Sequence, residues 1–138
     1  MNLPLQSAKR RTICALILFG MVAAFNFAIN QSNPFTLHNI RQIGARVKSV
    51  NSRGFRRTSI TTETGNQGLH YSLIERTLSN LLGIVDVLTP DEFYTEFGNI
   101  HPFEDGNGRV GAILWNILRG STFEPICPPD FSNHENVK

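Results

Sequence analysis

The chain has 138 residues, 41% of them hydrophobic and 17% charged, which suffices for one modest core and excludes a disordered chain. The net charge of +2 hides an asymmetry, because residues 1–62 contain no acidic residue and residues 63–138 contain all eleven. Such a basic half can steer phosphates, nucleic acid or an anionic membrane, or it can be a solvated face that balances an acidic one. Cys14 and Cys127 are too few for a disulfide framework or a zinc cluster, and neither suggests a role.

The N-terminal segment, residues 1–33, combines a basic head with an apolar run over residues 13–29. The basic residues Lys9–Arg11 before such a run are typical of a signal peptide or a signal anchor, and predict membrane contact through residues 12–29. A buried core helix is the alternative, because helices that are apolar on all sides also occur inside globular domains. The sequence therefore leaves open whether the protein is cytoplasmic, membrane-anchored or exported.

A helix and a β-hairpin are predicted in the middle of the chain. Thr36 caps a helix that extends to about Val50, with apolar residues at helical spacing. Phe55 to Thr62 is rich in Thr and β-branched residues, and a turn signal follows at residues 64–66. This combination predicts a short β-hairpin.

Three further helices are predicted in the second half. Ser72 with Glu75 and Thr89 with Glu92 have the spacing of capping boxes, each of which marks a helix start. The last helix is predicted over residues 106–119, and a Pro-containing tail over residues 121–138 is expected to be extended on the surface. Together the elements predict a mainly α domain with one small hairpin.

The run HPFEDGNGR at residues 101–109 lies between the last two predicted helices and is suited to binding an anion. The free N–H groups at the start of the second helix favour a negative charge in the loop. Gly106 and Gly108 let the backbone approach a phosphate, and Asn107 adds a side-chain amide. Arg109 adds a planar cation suited to phosphate oxygens.

The same run also holds a metal ligand and a base. Asp105 can ligate Mg²⁺ together with substrate phosphates, and His101 can accept a proton near neutral pH. Each residue has an ordinary structural explanation when taken singly: His101 at a helix end, Asp105 as a helix cap, and Phe103 as a core anchor. Their joint occurrence within nine residues predicts phosphoryl or nucleotidyl transfer.

This run matches the Fic signature, His-x-Phe-x-Asp/Glu-Gly-Asn-Gly-Arg, at every specified position, and the chain resembles the Fic family over about residues 36–120. Arg57 and Thr58, followed by residues 59–63, resemble the Arg-Thr pair and flap of that family. The resemblance implies a compact Fic-like helical catalytic domain over residues 34–120, with a small β-hairpin flap and a Pro-rich tail behind it.

The resemblance also implies an activity, that of a protein adenylyltransferase, which transfers AMP from ATP to a Tyr, Ser or Thr hydroxyl of a target protein. His101 would be the general base, Asp105 would hold Mg²⁺ on the phosphates, and Phe103 would lock the loop into the core. Two sets of contacts would bind the substrates: the ATP phosphates at Gly106, Asn107, Gly108 and Arg109, and the target segment, as an added strand, at Ser59, Ile60, Thr61 and Thr62.

One position departs from the family pattern. Ala112 stands where the longer signature has a second Arg, which in the family contacts the terminal phosphate and pairs with an inhibitory Glu. We therefore expect weaker ATP binding than in a two-Arg relative, and tighter binding in Ala112→Arg, unless Arg56 or Arg57 already fills the space. The inhibitory pattern Ser/Thr-x-x-x-Glu-Gly/Asn has no full match, so this type of autoinhibition is also in question.

Three other functions stay open. The loop could transfer another phosphate-containing group, although Gly108 differs from the Lys of Doc-like loops. A catalytically impaired module that binds a nucleotide or a partner is favoured by Ala112, whereas a base such as His101 is not needed for binding alone. Nucleic-acid binding is not expected, because Phe55 is the one aromatic residue between Arg41 and Arg57.

Overall fold

The computed structural model describes residues 21–61 and 65–129. Short 3₁₀ turns connect the α-helices of this part of the chain, at Ser49–Arg53, Tyr71–Leu73 and Val85–Val87. The expectation of a mainly helical domain is confirmed. The described α-helices are α1 (Val22–Ile29), α2 (Leu37–Val47), α3 (Ile74–Gly83), α4 (Pro90–Ile100) and α5 (Asn107–Arg119).

The core lies where α4 and α5 pack against each other, with α2 on α5, α3 on α4, and α1 across both α2 and α5. Apolar residues recur at helical spacing in α1 to α4, so each of these helices turns one side inward, whereas α5 is buried on all sides over residues 110–116. Phe103, which belongs to the loop between α4 and α5, is buried with these helices, so the loop is part of the core. The fully buried apolar side chains include Ile40, Ile43, Leu78, Phe93, Phe97, Phe103, Ile113 and Leu114.

Helix α1 is the described part of the N-terminal apolar run. Its residues Ala24, Phe25 and Ala28 are buried, and the helix contacts α2 and α5. The basic head and residues 13–20 of the run lie outside the described residues, so the signal, anchor and core-helix alternatives stay predictions there. Between residues 21 and 129, as far as they are described, no helix combines the length and the apolar character needed to cross a bilayer.

The predicted helix starts at Thr36 and Thr89 are found in the structure. Thr36 Oγ1 accepts a hydrogen bond from the Asn39 N–H at 3.1 Å, and α2 follows directly. Thr89 Oγ1 accepts from the Glu92 N–H at 3.1 Å, while Glu92 Oε1 accepts from the Thr89 N–H at 2.9 Å. These bonds satisfy N–H groups that have no partner inside the helix, which is why the local sequence locates them.

The capping box predicted from Ser72 and Glu75 is wrong. The imidazole of His70 accepts the Ser72 N–H at 3.2 Å, and α3 begins at Ile74 without a side-chain cap. Glu75 forms an ion pair with Arg41 of α2 instead. Glu75 therefore contributes to a contact between α2 and α3 rather than to a cap at the start of α3.

The β-hairpin flap is not seen as a pair of strands within the described residues. One antiparallel bridge joins Thr61 to Gln67, and the Gly68 N–H donates to the Ile60 carbonyl at 2.9 Å. Residues 62–64 lie outside the described part. A two-stranded ribbon is marginal in water unless it buries an apolar face, and Ile60 is the one half-buried residue among residues 59–61. The predicted β-hairpin is therefore absent from the described residues because too little buried apolar surface would stabilise it.

The tail after α5 is held by one buried amide. Gly120 ends the helix in the left-handed conformation, with φ of 73°. The Asn116 side chain then bonds both main-chain groups of Ile126, its Nδ2 donating at 2.8 Å and its Oδ1 accepting at 3.0 Å. Cys127 beside it is disulfide-bonded, whereas Cys14 and residues 130–138 lie outside the described residues.

Candidate active site

His101 directly follows α4 as its C-cap and is the first residue of the loop. Its N–H donates to the Phe97 carbonyl at 3.1 Å, and its φ of 50° places it in the left-handed region. A residue with a Cβ adopts this conformation at a cost of about 1 kcal/mol or more, so surrounding contacts must stabilise it. The side chain is 9% exposed.

Arg56 supplies those contacts from the segment before the flap. Its side chain is 2% exposed and donates to main-chain carbonyls at the start of the loop and in the segments around residues 58 and 69. Nε lies 2.6 Å from the His101 oxygen, and Nη2 lies 3.2 Å from the Ile100 oxygen and 2.6 Å from the Leu69 oxygen. Nη1 donates to Thr58 at 2.8 Å. These bonds occupy the guanidinium, so Arg56 is not the spare phosphate cation that the sequence suggested.

Glu104 joins the loop to Arg57 and Thr58, the two residues that precede the flap. Its Oε1 accepts the Arg57 N–H at 3.2 Å, and its Oε2 accepts the Thr58 hydroxyl at 3.0 Å. Burial lowers the pKa of Arg56, and the negative charge of Glu104 opposes that shift. The loop and residues 56–58 are thus tied together by charge-assisted hydrogen bonds.

Phe103 anchors the loop between α2 and Phe55, which lies in the segment before the flap. Its ring is fully buried, and its centroid lies 5.4 Å from that of Phe55. Gly44 of α2 makes room for the ring, since a Cβ at this position would overlap the Phe103 side chain. The predicted role of Phe103 as an anchor therefore depends on a glycine in the middle of a helix.

Asn107 closes the loop from the other end. Its Oδ1 accepts the Phe103 N–H at 2.8 Å, and its Nδ2 donates to the Phe103 carbonyl at 2.9 Å. The side-chain amide that the sequence offered to a phosphate thus bonds within the loop. What Asn107 can offer an anion is its main-chain N–H in the first turn of α5.

The start of α5 differs from the starts of α2 and α4, because no side chain caps it. Gly106 precedes it with φ of 78°, and a Cβ there would come within 2.8 Å of Val47. The main-chain N–H groups of the first turn, which include those of Gly108 and Arg109, point toward the loop. Together with the helix dipole, they form a site suited to a phosphate oxygen.

The carboxylate of Asp105 lies between two cations. Its Oδ2 is 3.6 Å from Lys48 Nζ, and its Oδ1 is 3.7 Å from Arg109 Nη2. Oδ1 also accepts the Gly106 N–H at 2.8 Å. With 48% of its side chain exposed, Asp105 is open to solvent and to a ligand.

These residues fit a magnesium ion that is held largely by its substrate. In the part of the chain that the structure describes, no three His, Cys, Asp or Glu side chains come together as a metal site. Mg²⁺ commonly uses one or two carboxylates plus substrate phosphates and water. Asp105, beside the uncapped helix start, provides one such carboxylate.

Asn51, which the sequence analysis missed, fastens α2 to the loop. It is buried, and its Nδ2 donates to the Asp105 carbonyl at 2.8 Å and to the Gly44 carbonyl at 3.1 Å. Lys48 was likewise not recognised as a neighbour of the loop, and Arg56 was considered as a phosphate cation rather than as a residue that bonds the main chain of the loop. A glycine inside a helical pattern often marks a place where another part of the chain packs closely against the helix. Gly44 was therefore the one feature of the sequence that could have indicated contact between α2 and the loop.

The predicted site residues fall into two groups in space. The residues of the run 101–109 share one loop and helix start, whereas Ser59 and Thr61 are exposed on the flap segment and Thr62 lies outside the described residues. Ala112 is 0% exposed and therefore faces the interior. This burial argues against the expectation that an Arg at position 112 would contact the terminal phosphate, because a side chain of that size would have to displace its neighbours.

The Fic/DOC family model matches the chain over residues 34–118. The match begins just before the cap of α2 and ends next to the last residue of α5, so it includes Arg56 and the whole loop. Helix α1 and the tail lie outside it. No curated protein matches the chain.

Proposed function

The chain belongs to the Fic/DOC family, and on that premise we propose that it is a protein adenylyltransferase that transfers AMP from ATP to a Tyr, Ser or Thr hydroxyl of a target protein. One observation carries the proposal: a single loop joins His101 to the uncapped start of α5. Within it, the carboxylate of Asp105 lies 3.7 Å from the guanidinium of Arg109. In this proposal the base, the metal ligand and the anion site of the loop act on one phosphate group.

In the proposed reaction, the target hydroxyl oxygen forms a bond to the α-phosphorus of ATP. The bond from that phosphorus to the oxygen bridging the α- and β-phosphates breaks, and pyrophosphate leaves. His101 accepts the hydroxyl proton, while Arg109 and the N–H groups of Gly108 and its neighbours stabilise charge on the phosphates. Mg²⁺ held by Asp105 would supply further neutralisation of the phosphate charge.

The target segment is proposed to dock along the flap at residues 59–62. Ser59 and Thr61 are exposed, and within the described residues the main chain of Ile60 and Thr61 pairs with residues 67 and 68. An extended peptide can add to such an edge through main-chain hydrogen bonds. Because Glu104 ties Thr58 to the loop, a peptide bound there would be held near His101.

A module that binds a nucleotide or a partner without catalysis is the second candidate. It is favoured by the buried Ala112, which leaves α5 without a second cation at this position. Transfer of another phosphate-containing group by the same loop is a third outcome that the reaction itself can reveal. A labelling experiment separates the three.

The purified chain is incubated with Mg²⁺, a candidate lysate, and ATP labelled at either the α- or the γ-phosphate. Relative to the lysate without the chain, the proposal predicts additional protein bands with the α label and none with the γ label, whereas phosphoryl transfer would give the reverse. His101→Ala should reduce labelling by about 10²–10⁴-fold, because the general base is lost. His38→Ala, which removes an exposed imidazole from α2, is the matched control and should label normally.

The binding of ATP–Mg²⁺ to the same variants completes the test. Calorimetry should give similar affinities for wild type and His101→Ala, since the imidazole acts on the incoming hydroxyl. ATP binding without labelling by any variant would support the binding module. Labelling by His101→Ala at the wild-type rate would refute the assignment of the base.

A further inference from the structure

Two cations from different elements converge on one carboxylate at the loop. Arg109 reaches Asp105 from the first turn of α5, and Lys48 reaches it from the end of α2. The two contacts involve different oxygens, at 3.7 Å and 3.6 Å, so the cations flank the carboxylate. An anion that approaches Asp105 through a shared metal therefore meets positive charge on both sides.

The position of Lys48 follows from how α2 ends. Lys48 caps the helix with φ of −150° and ψ of 126°, so the chain leaves the helix extended at this residue. Val47 before it packs so closely against Gly106 that a Cβ on the glycine would lie within 2.8 Å of it. Asn51 after it bonds the Asp105 carbonyl at 2.8 Å. The backbone on both sides of Lys48 is thus fixed against the loop.

The other candidates for a second phosphate cation are less suited. Position 112 is an alanine and is fully buried. Arg56 is buried and its donors bond main-chain carbonyls. Arg57 is exposed just before the flap, and its main-chain N–H donates to Glu104. Lys48 therefore combines an exposed charge with a position beside Asp105.

We propose that Lys48 is a substrate-binding residue that contacts the terminal phosphates of the bound nucleoside triphosphate, and so supplies from α2 the second cation that α5 lacks. The inference rests on the proposed function, because it assumes a nucleotide at this loop. Without ligand the ammonium pairs with Asp105, and with ligand it bonds phosphate oxygens that lie next to the same carboxylate.

The chemistry of lysine suits this exchange. The Lys48 side chain is 51% exposed and carries its charge on a flexible stem with three donors. An exposed ion pair contributes little stability, about 0–1 kcal/mol, so leaving Asp105 costs little. A hydrogen bond between an ammonium and a phosphate is charge-assisted and stronger.

The experiment measures nucleotide binding rather than turnover. AMP, ADP and ATP, each with Mg²⁺, are titrated by calorimetry into the full chain and into Lys48→Ala and Lys48→Arg. Arg53→Ala is the matched control, because it removes one exposed positive charge from the 3₁₀ turn that follows Lys48. Thermal unfolding of each variant verifies that the fold is retained.

Lys48→Ala should weaken ATP binding by about five- to thirtyfold and leave AMP binding within about twofold, because AMP lacks the terminal phosphates. Lys48→Arg should retain most of the ATP affinity. Arg53→Ala should change ATP binding by less than about twofold, as expected for a screened charge.

The outcomes separate the inference from the proposed function. ATP binding in wild type that Lys48→Ala leaves unchanged, or weakens equally for ATP and AMP, would overturn the role of Lys48 alone. An equal loss in Arg53→Ala would show a general charge effect and would likewise overturn it. Failure of the wild-type chain to bind any of the nucleotides would contradict both proposals.

Discussion

The guanidinium of Arg56 fixes the main chain of His101, because its Nε lies 2.6 Å from the His101 carbonyl oxygen. The bond is buried and links residues that are 45 positions apart in the sequence. It stabilises a residue whose backbone is in the left-handed region, and thereby sets the direction in which the imidazole leaves the chain. The proposed base is thus positioned by a residue outside the motif.

Arg56→Gln should lower the free energy of unfolding by about 2 kcal/mol or more, because several carbonyl groups lose a charged donor inside the protein. Urea unfolding measures the change. Arg57→Gln, at the exposed neighbouring position, is the control and should stay within about 0.5 kcal/mol of wild type. Equal stability of Arg56→Gln and wild type would show that these hydrogen bonds do not hold the loop.

Gly44→Ala should destabilise the protein by about 1–3 kcal/mol, since the new methyl group overlaps the ring of Phe103 and forces the loop away from α2. The measurement is again urea unfolding. Gly83→Ala provides the comparison, because a Cβ at Gly83 meets no atom within 4 Å and should leave stability unchanged or raise it by up to about 1 kcal/mol. Similar effects of the two substitutions would contradict the packing role of Gly44.

Ala112→Arg should destabilise the domain by about 2 kcal/mol or more and should not tighten ATP binding. The reason is that position 112 is buried, so the new side chain must either bury its charge or displace the core. Ala23→Arg, on the exposed side of α1, adds the same side chain to a helix surface and should have little effect. Tighter ATP binding with unchanged stability in Ala112→Arg would restore the expectation drawn from the sequence.

The capping box at the start of α4 should make stability depend on pH. Hydrogen bonds from the Thr89 main chain and side chain lower the pKa of Glu92 below its ordinary value of 4.5. A carboxylate with a lowered pKa in the folded state stabilises the protein above about pH 4.5, and this contribution is lost as the pH falls through the lowered value. Glu92→Gln should remove that part of the pH dependence.

Thermal unfolding of Glu92→Gln between about pH 3 and pH 7 tests this expectation. Glu96→Gln, which removes one charge from the same helix, serves as the control. The difference in stability between wild type and Glu92→Gln should shrink as the pH falls below the ordinary value. A difference that is constant over the whole range would mean that the Glu92 bonds do not depend on its charge.

Patterns among residues that are close in sequence predicted the starts of two helices. Features that depend on contacts between residues far apart in sequence were not predicted. The caps at Thr36 and Thr89 were found because each side chain bonds an N–H three residues away. The Ser72 box failed because Glu75 pairs with Arg41, 34 residues distant. Spacing along the chain carries no signal for such a pair.

The candidate site likewise has features that the motif predicted and contacts that it did not predict. The motif placed His101 and Asp105 in one loop and put the helix start directly behind it, as the structure has them. It did not reveal that Asn107 uses its side-chain amide on Phe103, or that Arg56 and Asn51 bond the loop from elsewhere. These contacts depend on how α2 and the flap segment fold back on the loop, which local sequence does not encode.

The burial of Phe103 and the closure of the loop by Asn107 have a thermodynamic consequence. The main chain around the phosphate site is ordered by the protein's own contacts, so a nucleotide would meet a preorganised surface. Little backbone entropy therefore remains to be lost when the phosphates bind. The entropic cost of ordering the loop on nucleotide binding should be small, and the charged groups that close on the phosphates should contribute a favourable enthalpy.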